Sequence, residues 1–222
     1  MKEVFLGEVF EVMPLQNGII FSYLKDFVND DIVVAYKMLS FDTGRFTDVA
    51  KNMYLITKFG NNYKTALEFC DNYITVKSIV LQGGKLFLLA PDGAAQLVDV
   101  DGMPIWTGNL TYRSSYPSDI ILHNNALWVC YAEKNALLRF NLATMREELR
   151  IGGAKSPFDK PRDLFLEGDN VMVSNQGSQK LVQINLNTYN VFDYETFDEP
   201  IYQYVKVGDN RFALLKSGLY LI

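Results

Sequence analysis

Asp119 opens the run DIILHNNALWVCY and Asp163 opens DLFLEGDNVMVSN, so two carboxylates stand at the same place in two similar stretches 44 residues apart. A matched pair of acids suits glycoside hydrolysis, in which one carboxyl protonates the leaving oxygen and the other serves as nucleophile or base. It also suits a structural task, because short acids beside turns and loops accept backbone N–H groups; this second reading is the favoured one. Other chemistry has less to stand on. The one histidine, His123, lies in the tight turn HNNA, and no serine or cysteine sits in a motif that would need it as a base. The chain has no GxGxxG, phosphate loop, CxxC or HExxH, so no cofactor is implied and no catalytic residue is assigned. Asp26, Asp30 and Asp31 in LKDFVNDDIV have the charge of a cation site. They lack the ordered ligands and glycine of a calcium loop and read as a solvated hairpin, with no metal.

Composition narrows the partners. With 21 Lys and Arg against 26 Asp and Glu, the formal charge of −5 offers no basic field for a polyanion, which excludes nucleic acid as the expected partner. At 222 residues and 49% apolar content the chain has the material for one folded domain spanning 1–222. It shows neither a run of eighteen apolar residues nor a signal-peptide core, so the expectation is a cytoplasmic protein without a membrane span. Asn109-Leu110-Thr111 is then a glycosylation acceptor in form only. Cys70 and Cys130, in EFCDNY and LWVCYAE, read as buried thiols rather than a disulfide.

The elements that must position Asp119 and Asp163 repeat along the chain. Tight turns between two apolar runs occur at Gly18, Gly84, Asn125, Asp169 and Asp209, with intervals of 66, 41, 44 and 40 residues, so three of the four agree. About fifteen residues after the first four turns a further strand closes on a polar residue, as in LLRFNLATM and LVQINLNTY. Alternating Val, Ile, Leu, Phe and Tyr with Asn-Gly, Gly-Gly and Asp-Gly pairs spells strands joined by hairpins. A four-stranded unit of this length predicts an all-β, five-bladed β-propeller. The fifth unit lacks a strand and KEVFLGEVF is spare at the other end, so the N-terminal strand is expected to complete the last blade.

YPSDIILHNNALWVCYAEKNALLRFNLAT and KPRDLFLEGDNVMVSNQGSQKLVQINLNT resemble the NHL-type propeller repeat. The aspartate usual at the end of its second strand is replaced by the neighbourhood of Cys130 and Tyr131, or Ser174 and Asn175. The resemblance implies a rigid ring whose innermost strands line a channel. It also implies that loops entering those strands share one face with the loops between second and third strands. Innermost strands then begin at Ser78, Asp119, Asp163 and Gln203, and Arg113, Tyr116, Arg162, Asp92, Glu133, Lys134, Asn175 and Gln176 lie on the loops of that face. Asp119, Asp163, Arg162, Arg113, Tyr116, Asn175 and Gln203 are the expected ligand contacts, while His123 falls on the opposite face. The surplus between the first two units, 51–77, holds Tyr54, Phe59, Tyr63, Phe69 and Tyr73. It reads either as a rim that carries Tyr54, Phe59 and Tyr63 to a partner, or as extended strands packing on their own blade. The favoured function is a noncatalytic scaffold that binds a protein or small ligand. The alternative is a five-bladed glycoside-processing enzyme or lectin.

Overall fold

The structure, a computed structural model, describes residues 1–69, 76–153 and 155–222. A short strand, β1 (Lys2–Leu6), precedes the first blade, which is β2 (Val9–Leu15), β3 (Gly18–Val28), β4 (Asp31–Ser40) and β5 (Arg45–Asp48). Two helices, α1 (Lys51–Phe59) and α2 (Tyr63–Phe69), lead to the second blade: β6 (Lys77–Val80), β7 (Leu86–Leu89), β8 (Ala94–Val98) and β9 (Pro104–Asn109). The third comprises β10 (Asp119–His123), β11 (Ala126–Tyr131), β12 (Ala136–Asn141) and β13 (Glu147–Gly152). The fourth comprises β14 (Pro161–Glu167), β15 (Asn170–Asn175), β16 (Lys180–Asn185) and β17 (Val191–Thr196). The last begins with β18 (Ile201–Val207), β19 (Asn210–Leu215) and β20 (Gly218–Leu221), and β1 adds to β20 as its fourth strand. These are five four-stranded sheets in a five-bladed β-propeller closed by the N-terminal strand, as the repeat predicts. Closure uses only the first half of KEVFLGEVF. Lys2 to Leu6 pair with Leu221 to Gly218, whereas Val9 and Phe10 already belong to the inner strand β2.

Alternation along the middle strands explains why the blades stack. In β11, Leu127, Val129 and Tyr131 pack toward the second blade, and Trp128 and Cys130 pack toward the fourth. Both faces are therefore covered, every residue of ALWVCY is buried, and the strand reads as an unbroken apolar run. The outermost strands face solvent on the rim; β9, for example, is exposed at all but one position. At the β10–β11 hairpin, Asn124 and Asn125 take φ of 48° and 58°, the left-handed pair that a two-residue turn needs. Gly18 serves a different end, since a Cβ there would lie 2.3 Å from the Leu39 carbonyl oxygen across the blade.

As far as Phe69 the surplus segment is helical rather than extended, and its rings pack as core rather than standing on a rim. In α1 the buried positions are Tyr54, Leu55, Lys58 and Phe59, which is helical spacing. Gly60, at φ 67°, ends the helix. Tyr54 (0% exposed) and Phe59 (2%) pack with Ile20 and Tyr36 of the first blade and Leu86 and Leu88 of the second, and Tyr63 and Phe69 pack against the same cluster. Tyr54 and Phe59 are thus corrected from partner contacts to core, because burying these rings fills the space between two blades. Cys70 and Tyr73 lie outside the described residues. Among the described residues, no helix is long and apolar enough to cross a membrane.

Candidate functional site

Five side chains occupy the same position at the start of the five inner strands. Each faces a fixed partner on the second strand: Glu11 opposite Ser22, Lys77 opposite Leu89, Asp119 opposite Cys130, Asp163 opposite Ser174 and Gln203 opposite Leu214. Three of them stitch blade to blade. Asp119 Oδ2 accepts the Leu164 N–H at 2.8 Å, Asp163 accepts the Tyr204 N–H, and Gln203 Oε1 accepts the Val12 N–H at 2.7 Å. In each case the donor is the residue after the ring position in the next blade, so one acceptor per blade satisfies a backbone group that would otherwise be buried unpaired.

Glu11 and Lys77 break this pattern, and they set the charge of the channel. Glu11 accepts from the Tyr54 hydroxyl at 2.7 Å and pairs with Lys58, both on α1. Lys77 Nζ lies 3.1 Å from Asp119 Oδ1 and 3.4 Å from Asp163 Oδ1, spanning the two acids. Burial raises the Asp163 carboxyl well above the ordinary carboxylate range and the Asp119 charge adds to it; Lys77 and the Tyr204 N–H oppose without cancelling. Burial pushes Lys77 down, but Asp119, Asp163 and Glu11 outweigh it and hold the ammonium above its ordinary value. Burial would likewise raise Glu11, yet the charges of Lys58 and Lys77 and the hydrogen bonds from Lys58 and Tyr54 keep it below its usual value. Burial pushes the Cys130 thiol far up, and Ser118 Oγ stands 3.2 Å from its sulfur, so the thiol is inert.

A cavity of about 480 Å³ opens above this ring, within the size range of small-molecule sites. A recurrent irregularity shapes it. The inner strand bulges at the same place in three blades, between Val9 and Glu11, between Pro161 and Asp163, and between Ile201 and Gln203. A regular strand would send neighbouring residues to opposite sides. The bulge instead lets Phe10 with Glu11, Arg162 with Asp163, and Tyr202 with Gln203 all line the cavity. Within that wall the Arg162 guanidinium lies 4.6 Å from the centre of the Tyr202 ring.

The remaining expected residues are distributed differently. Asp163, Arg162, Gln203, Glu133 and Gln176 line the cavity, all on loops or strand starts of the expected face. Asp119 is 5% exposed and lies below it, engaged by Lys77. Asn175 is fully buried, with Nδ2 donating to the Pro157 carbonyl and Oδ1 without a partner among the described residues. Arg113 and Tyr116 lie off the cavity: Arg113 stacks on Tyr112, and Tyr116 is exposed. His123 Nε2 stands 3.1 Å from Asp169 Oδ1 in the next blade's turn. Asp26, Asp30 and Asp31 are exposed at the tip of the β3–β4 hairpin. Lys77 and Glu11 were not foreseen, and Ser78 stands one residue past the ring position. Both carry the same signal as the foreseen acids, since all five ring residues lie six or seven positions before the turn landmarks.

No family model matches the chain, and no curated protein does. Among solved structures it is similar to a streptogramin B lyase, with 15% identity and a TM-score of 0.52 over 98% of this chain and 94% of that one. A catalytically inactive virginiamycin B lyase from Staphylococcus aureus with quinupristin matches at 11% identity and TM-score 0.52, over 97% of this chain and 69% of that one. The computationally designed Ika4 protein matches at 11% identity and TM-score 0.52, over 69% of this chain and 94% of that one. At these identities the likeness to lyases and to a designed protein alike shows the propeller fold alone.

Proposed function

We propose that the chain is a noncatalytic binding module, a single propeller domain over 1–222, that takes a small ligand into the mouth of its channel. The observation that carries this reading is that the ring acids are committed elsewhere while a cavity stands above them. Asp119 serves Lys77 and the Leu164 N–H, Glu11 serves Lys58 and Tyr54, and Asp163 shares Lys77. A glycosidase needs two carboxyls flanking the scissile bond, and of the expected pair only Asp163 borders the cavity. The NHL-type repeat motif and a cytoplasmic setting belong to the same reading.

The enzyme alternative keeps one specific support, because Asp163 lines the cavity and burial shifts its carboxyl upward, the direction a general acid needs. A panel of chromogenic aryl glycosides separates the two. The binding module gives no turnover above an Asp163→Asn variant, whereas turnover that this substitution abolishes would establish the enzyme. A melting-temperature screen against sugars, amino acids and short peptides then reads out binding directly.

A further inference from the structure

The cavity sorts its charges into two groups. Those on its floor are paired: Lys77 with Asp119 and Asp163, and Glu11 with Lys58. Those around its wall, Arg162 and Lys216 against Glu8 and Glu133, have no ion-pair partner among the described residues. Two cations and two anions left unmatched around one small cavity make a balanced set, arranged so that each sign is offered to whatever enters.

Arg162 is the best organised of the four. The bulge in β14 turns it into the cavity, and Tyr202, raised by the matching bulge in β18, supports its flat face at 4.6 Å. A guanidinium stacked this way keeps its N–H edges for a planar acceptor, and two parallel bonds to one carboxylate fit that fork. Arg162 and Lys216 come from the fourth and fifth blades. Glu8 belongs to the first blade's entry loop and Glu133 to the third blade, so acids flank the cations on both sides. Leu89, Ala90 and Pro91 of the second blade close the wall with apolar surface.

Building on the reading of a small-ligand module, we propose that the ligand is a small zwitterion, an α-amino acid or dipeptide, with its carboxylate on Arg162 and its ammonium at Glu8 or Glu133. A neutral sugar would desolvate four charges and pair none of them, and a multiply charged anion would meet two acids beside its two cations. A zwitterion meets both signs.

Titration calorimetry and melting shifts on the intact chain test this with named probes: phenylalanine, alanyl-phenylalanine, its C-terminal amide, its N-acetyl form, inorganic phosphate and maltotriose. The expected result is saturable binding of phenylalanine or the dipeptide. Amidation should weaken it by roughly tenfold or more, and acetylation should weaken it too. Arg162→Ala should abolish binding and Arg162→Lys should not restore it, because a lysine lacks the fork. Arg162 is exposed, so both variants should melt with the parent when no ligand is present. Binding of the amide as tight as that of the free acid overturns the proposal, as does unchanged binding by Arg162→Ala. A response to phosphate or maltotriose with the zwitterions inert overturns it while leaving the binding module standing. Silence from every probe removes both.

Discussion

Where the third blade meets the fourth, the junction is built from strands alone. Trp128, Cys130 and Leu137 pack against Leu164, Val171 and Val173, and Asp119 reaches across to the Leu164 N–H. Where the first blade meets the second, a helix does both tasks. Tyr54, Leu55 and Phe59 fill the space between Ile20 and Leu86, and the ring acid Glu11 turns from a neighbouring backbone to Tyr54 and Lys58. Inner strands pack directly at the other junctions, β6 on β10, β10 on β14, β14 on β18 and β18 on β2; α1 packs on β4 and β6. A blade needs two things from its neighbour, apolar surface on one face and an acceptor for one N–H near the channel. A helical wedge supplies the first and replaces the second with a buried ion pair.

If the wedge is as much a part of the core as a blade face, equal insults at the two junctions should cost about the same. Phe59→Ala in the wedge and Trp128→Ala in the regular junction each remove a ring that is 1–2% exposed, and each should destabilise by about 3–5 kcal/mol in urea unfolding. A cost below about 1 kcal/mol for Phe59→Ala, with cooperative unfolding intact, would make α1 an appendage and break the comparison.

The stitch is the next largest effect. Gln203→Ala leaves the Val12 N–H without its acceptor and should cost about 1–3 kcal/mol. Gln203→Glu keeps the acceptor and should recover most of that loss. If the two variants melt together, the cost comes from lost packing and the ring acceptors do not hold the blades.

The two junctions also differ in how plainly the sequence announces them. Hairpins such as HNNA and EGDN recur with the strands around them, because the turn and the alternation are local properties, and the fold follows from counting them. Asp119 and Asp163 stand out for the same reason. Lys77 hides because its chemistry depends on acids 42 and 86 residues away, and nothing near it in sequence marks it as their counter-ion. The wedge hides for a different reason: Tyr54, Ile56, Thr57 and Phe59 favour strands, and helix becomes the better choice because it puts Tyr54, Leu55 and Phe59 together against two blades while Ile56 stays exposed. The bulges that bring Arg162 and Tyr202 into the cavity are likewise hard to read locally, since PRD, IYQ and VFE at the three bulges share no residue.

The finest distinction between the junctions is the sign of their response to pH. Asp163 titrates above the ordinary aspartate value of about 3.9, so the folded chain keeps a proton that the unfolded chain has released. The stability from that proton is fully present below about pH 4 and is lost as pH rises through the raised value. Asp163→Asn retains an acceptor for the Tyr204 N–H and does not titrate, so it should gain on the parent as pH rises. Glu11 runs the other way. Its folded carboxyl titrates below the ordinary glutamate value of about 4.3, so its contribution is present above that pH and lost as pH falls. Glu11→Gln should therefore fall behind the parent as pH rises. Urea unfolding of the three proteins between about pH 3 and 8 gives the two differences, each expected to change by something on the order of 1 kcal/mol. Opposite slopes would show that a strand-only junction, here the fourth blade against the fifth, stores a proton and the wedge stores an ion pair. Parallel slopes would mean that Lys77 couples Glu11 and Asp163 into one titrating unit, and the contrast between the junctions would then be one of packing alone.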